Sequence, residues 1–156
     1  MNSVSPQDLR SIQFPALAFS QGFVYALTSL DRITRCSKLT VKKGLYKNLL
    51  LVDASSKRFQ IVGAKKIRTL IDFSFGWFFL GLLFGNPRWQ VELIFAPGPP
   101  LQISIDEVKN LIFDSFTKEE DYWGEMIAFE EFRDRVATAT SLEQILALFK
   151  KHFNQF

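Results

Sequence analysis

From Lys66 to Phe75 and from Trp89 to Phe95 apolar and polar residues alternate with a period of two, and after Ser104 the apolar residues recur every three or four positions. The first spacing belongs to half-buried strands and the second to amphipathic helices. Upstream, Phe23, Tyr25 and Leu27 predict a strand within Phe23 to Leu30, although Phe23, Leu27 and Leu30 also keep helical spacing. Asn48 to Asp53 and Lys57 to Gly63 are β-rich runs separated by Ala-Ser-Ser, with Asp53 as a turn former, and they predict a β-hairpin. Lys66 to Phe75 alternates next, placing Ile67, Thr69, Ile71, Phe73 and Phe75 on one face. Trp89, Val91, Leu93 and Phe95 repeat the pattern. Short connections between such strands predict an antiparallel β-meander of roughly five to seven strands, from about Phe23 to Ile103, curved or closed into a partly open barrel.

Pro97-Gly-Pro-Pro100 ends the sheet, because proline supplies no ladder donor. Three C-terminal helices follow in the prediction. Ser104-Ile-Asp-Glu107 is a capping box, and Thr117 to Glu120 and Ser141 to Gln144 repeat its spacing. The first helix carries a stripe of Val108, Leu111, Ile112, Ser115 and Phe116 that should lie on the sheet. The other two, bearing Trp123 to Val136 and Leu142 to Phe153, should form a helical hairpin. At the other end, Ser5-Pro6 has the form of an N-cap and first helical residue, which predicts a short helix reaching Ile12. The fold class is therefore α+β, and 156 residues suit a single globular domain over residues 1–156.

One stretch departs from both periods. Phe73 to Pro87 holds fifteen residues without a charge, bounded by Asp72 and Arg88. As a helix it would span roughly 22 Å, short of the roughly 30 Å hydrocarbon core of a bilayer, so a transmembrane helix is not expected. Gly76, Gly81 and Gly85 interrupt it, and its aromatic residues favour strands. Trp77, Phe78 and Phe79 are consecutive and cannot share one face of a regular strand, so at least one needs cover from the helices, a ligand or another subunit.

Composition sharpens this picture. Seventeen phenylalanines in a chain that is 47% hydrophobic need a large buried volume. Cys36 is the only cysteine, so no intramolecular disulfide forms, and the N-terminal residues lack the pattern of a secretory signal; a cytoplasmic location is the expectation. Net charge is +3, but it is segregated. From Arg32 to Arg68 eleven Lys or Arg face a single acid, Asp53, a net of +10; from Leu101 to Phe156 six bases face eleven acids, a net of −5. The two halves are expected to attract each other in the fold.

Candidate chemistry is sparse. His152, the single histidine, sits beside Lys150 and Lys151 at a helix end, where it suits the negative end of the helix dipole and has no nucleophile nearby in sequence. Cys36 lies in a basic context that favours thiolate, yet it lacks a placed partner. The helical carboxylates, among them Glu120, Glu125 and Glu130, repeat at five residues, a spacing that turns successive side chains by about 140° and does not converge on a metal. No phosphate loop, zinc spacing or dinucleotide fingerprint occurs, so no catalytic residue, metal or cofactor is expected. Nucleic acid is disfavoured by the acidic second half. A peripheral contact with an anionic membrane suits the basic residues beside the aromatic stretch. The leading expectation is a non-catalytic binding module for a protein partner or for self-association, with Trp77, Phe78, Phe79, Trp89 and Phe113 as interface or ligand residues. Lys42, Lys43, Lys47, Lys65 and Lys66 would supply electrostatic contacts. The rival expectation is a small apolar-ligand carrier or enzyme, with a pocket between the sheet and the Ser104 helix lined by Trp77, Phe79, Trp89 and Phe113.

Overall fold

A computed structural model describes residues 11–70, 88–126 and 128–153. Within them the strands are β1 (Ala16–Ser20), β2 (Phe23–Leu27), β3 (Arg35–Ser37), β4 (Leu49–Val52), β5 (Lys57–Thr69), β6 (Arg88–Phe95) and β7 (Leu101–Gln102). They form one antiparallel sheet in the order β2-β1-β4-β5-β6-β3, with β7 beside the start of β5, and it curls into a half-barrel. The short helices α1 (Asp31–Thr34) and α2 (Lys38–Lys42) flank β3. After the sheet come α3 (Ile105–Lys118), α4 (Glu120–Gly124), α5 (Phe129–Thr138) and α6 (Leu142–Phe153). The α+β class and the antiparallel meander predicted from the sequence are both present, the meander being clearest in β4, β5 and β6, where each strand pairs with the next. The stretch from Phe73 to Pro87 and the helix start at Ser5-Pro6 lie outside the described residues.

Two buried clusters lie on opposite faces of the sheet. Leu17 and Phe19 of β1 and Leu50 and Val52 of β4 face the helices and meet Val108, Ile112, Trp123, Phe132 and Phe149. Ala18, Leu49 and Leu51 face the concave side with Phe59, Ile61, Val91, Leu93 and Phe95. β1 and β4 are thus apolar on both faces, and their sequences are continuous apolar runs in place of alternations. For that reason the sheet begins at Ala16, earlier than the Phe23 predicted from alternation. On the helix side Phe116 stacks edge-on to Trp123 at 4.9 Å and to Phe129 at 5.1 Å, and Phe132 stacks on Phe149 at 5.1 Å.

Three further elements differ from the sequence prediction. Lys57 to Gly63 and the run from Lys66 belong to one long strand, β5, which breaks register between Ile61 and Gly63 and between Lys66 and Arg68. Those irregularities shift the inward set, and Ile67, predicted to point into the core, is 58% exposed. The Thr117 to Glu120 spacing does not start a helix, because Thr117 lies inside α3 and its hydroxyl donates back to the Phe113 carbonyl at 3.0 Å. The predicted second C-terminal helix is two helices, with Ala128 in the left-handed region at φ 60° just before α5.

Two sequence signals are present atom for atom. Ser104 Oγ accepts from the Glu107 backbone N–H while Glu107 accepts from the Ser104 N–H at 2.9 Å, closing the capping box, and the bonds from Ser104 hold the Glu107 carboxyl below its ordinary pKa. Asp53 at the β4–β5 turn is fully buried, and its carboxylate accepts from the Ser55 and Lys57 N–H groups, the Ser55 hydroxyl and the Gln13 N–H.

Candidate functional site

β2 and β3 are the two ends of the curled sheet, and an open cleft of about 510 Å³ lies between β2 and the α1–β3–α2 segment. Tyr25, Tyr46 and Tyr122 line it. The whole sequence contains three tyrosines, so all of them gather at this one place although 97 positions separate the first from the last. Arg32, Arg35 and Cys36 line the same cleft.

Each wall is fixed by a different device. Tyr46 follows the Gly44 turn, and its hydroxyl donates to the Ile33 carbonyl, which ties the α2–β4 connection to α1. Burial above all, with the neighbouring Cys36 thiol adding to it, pushes the Tyr46 hydroxyl well above the ordinary phenol range. Tyr25 stays 36% exposed, and the packing of its remaining surface raises its hydroxyl as well. At the rim, the Phe23 and Tyr122 rings meet edge to face at 5.0 Å, and they remain 37% and 51% exposed. Tyr122 reaches this position because the β1–β2 turn docks against the junction of α3 and α4. Gly22 sits there at φ 88°, so close that a Cβ would lie 2.7 Å from Glu119 Cγ.

Charge in the cleft is positive. Arg35 pairs with Asp31 at 3.5 Å across an exposed turn, whereas Arg32 has no carboxylate partner among the described residues. Cys36, the middle residue of β3, is buried and lies opposite Trp89 in the register. The cleft combines aromatic faces, hydroxyl groups and a free guanidinium, which suits recognition of an organic group carrying negative charge. Among the described residues no group of three His, Cys, Asp or Glu is arranged to hold a metal.

The residues singled out from sequence are distributed otherwise. Trp77, Phe78 and Phe79 lie outside the described residues. Trp89 packs against the concave cluster with Lys66 Nζ 4.6 Å from its ring centroid, while Phe113 packs on the helix-side cluster against Phe116. Trp89 and Phe113 therefore pack on different clusters, on opposite faces of the sheet. A depression of about 340 Å³ does lie between the sheet and α3, but Leu50, Gln60, Leu111 and Asp114 line it. Lys42, Lys43 and Lys47 converge on a second concavity, whereas Lys65 and Lys66 are apart from them on β5. The sequence carried no local signal for the tyrosine cleft, because its walls come from β2, the Gly44 turn and α4.

The chain matches no protein-family model, and neither a curated protein nor a solved structure matches it significantly. Among the described residues no helix is long and apolar enough to cross a membrane.

Proposed function

We propose that the chain is a non-catalytic binding module whose site is the tyrosine cleft, and that its ligand presents an aromatic or apolar group bearing negative charge. The observation that carries this reading is the meeting of all three tyrosines in one cleft of about 510 Å³, a volume within the range of small-molecule sites. Phe23, Tyr25 and Tyr122 hold apolar surface exposed at its rim, a costly arrangement unless something covers it. Arg32, which lines the cleft and has no carboxylate partner among the described residues, supplies the positive charge. The test labels the protein with 3-fluorotyrosine and titrates it with cinnamate and with the neutral cinnamyl alcohol. Cinnamate should shift the fluorine resonances of all three tyrosines, and Arg32→Gln should weaken it about tenfold, the worth of one charge-assisted hydrogen bond, while leaving the alcohol unaffected. Resonances that ignore both compounds would remove the cleft from the functional account.

A second reading, a protein partner or self-association, draws support from the other half of the sheet. Val62, Ile67, Ile94 and Leu101 are exposed on β5, β6 and β7, and no residue of β5 or β6 belongs to the helix-side cluster.

A further inference from the structure

Beside the tyrosine cleft lies a polar concavity of about 600 Å³ formed by Lys42, Lys43, Lys47, Gly44 and Asn48, with Gln21 shared between the two. No carboxylate lines it, and none of the three lysines has an ion-pair partner among the described residues. Like charges gathered in a hollow repel one another and focus a positive potential there, which a multivalent anion relieves. Lys42 ends α2, where the helix terminus alone would favour a cation. That explanation does not reach Lys47. Its stem is laid against Gly44, which is left-handed at φ 69°, and a Cβ added there would sit 3.3 Å from Lys47 Cδ. The turn thus brings a third cation back onto the first two, and Gln21 and Asn48, also left-handed at φ 49° and 58°, complete the wall.

We infer that this lysine concavity is a binding site for a phosphoryl group, and that the ligand of the module is a phosphorylated amphiphile whose apolar part lies across Gln21 in the tyrosine cleft. The second half of the inference rests on the reading of the cleft given above; the phosphoryl site does not. Three lysines deliver point charges without a planar fork, which suits a di-anionic, roughly tetrahedral group better than a single carboxylate.

The experiment uses pyrophosphate alone, which has no apolar part, and follows its binding to the whole chain by calorimetry. Pyrophosphate should bind, should weaken steeply as salt is raised, and should lose at least about tenfold in affinity in the Lys42→Gln, Lys43→Gln, Lys47→Gln triple variant. The Lys65→Gln, Lys66→Gln double variant removes a similar charge elsewhere and should bind as the parent does. A second arm sediments the protein with phosphatidylcholine vesicles containing phosphatidic acid. Vesicle binding displaced by pyrophosphate identifies a lipid headgroup as the source of the phosphoryl group, and pyrophosphate binding without vesicle binding identifies a free phosphorylated molecule. Absence of pyrophosphate binding, or equal losses in the two lysine variants, overturns the phosphoryl site. Fluorotyrosine resonances that ignore cinnamate and cinnamyl alcohol, in a protein that binds pyrophosphate, overturn only the cleft.

Discussion

At the scale of single residues, what holds the cleft is a tyrosine whose hydroxyl is satisfied by one carbonyl. Tyr46 donates to Ile33, so Tyr46→Phe leaves a carbonyl without that donor and should cost about 1–3 kcal/mol in denaturant unfolding. The pH dependence has a definite sign. Folding raises this hydroxyl above the value of 10.0 that applies to the free side chain, so above that pH the unfolded chain releases a proton that the folded chain keeps. The stabilisation is therefore full below about pH 10 and declines as the pH rises further. Unfolding free energies measured on both sides of that pH should fall more steeply for the parent than for Tyr46→Phe; parallel slopes would mean that the phenol is not protected. Residue roles of this kind differ in how far the sequence disclosed them. Asp53 was readable as a turn former from its place before Ala-Ser-Ser, since its bonds to Ser55 and Lys57 are local. Its bond to Gln13, forty positions away, and the bond from Tyr46 to Ile33 depend on tertiary placement that no local pattern encodes.

At the scale of elements, periodicity succeeded wherever one face of an element meets water. β6 alternates as its burial does, and α3 begins at the serine that caps it. It failed where both faces are buried, as in β1, and where bulges break the period of two, as in β5. The cleft was hidden for a related reason: it depends on how the β1–β2 turn seats against the α3–α4 junction. That seat supplies a prediction. Gly22→Ala would meet two penalties, a left-handed φ of 88° and a Cβ 2.7 Å from Glu119 Cγ, and should cost about 1–3 kcal/mol in thermal or denaturant unfolding. Displacing the turn should also separate the Phe23 and Tyr122 rings, now 5.0 Å apart, and weaken the ring-to-ring cross-relaxation seen by NMR. A variant with parent stability and intact ring contacts would show that Glu119 yields freely and that the turn does not position Tyr122.

At the scale of the whole molecule, the helices among the described residues pack on only part of the sheet. The ion pairs of Arg35 with Asp31, Arg133 with Glu130 and Arg135 with Glu131 are all local, so none of them joins the basic segment to the acidic one. What joins the two segments is backbone pairing and apolar packing: β7 pairs with the start of β5, and Leu50 and Val52 of β4 join β1 and β2 on the strand side of the cluster that α3, α5 and α6 complete. β1 and β4 lie between that cluster and the concave one, while the far end of β5, from Lys65 to Thr69, is exposed along its length. Opening a strand enclosed by two clusters exposes both at once, whereas the end of β5 can separate at the cost of few buried contacts. Amide exchange should therefore be slowest in Leu17 to Phe19 and Leu49 to Val52, at rates set by global unfolding, and markedly faster from Lys65 to Thr69. Denaturant should accelerate the first set strongly and the second weakly, because a local opening exposes little new surface. If Lys65 to Thr69 exchanged as slowly as β1, that end of the sheet would need cover on its outer face, and a partner seated over Val62 and Ile94 would become the first candidate to supply it.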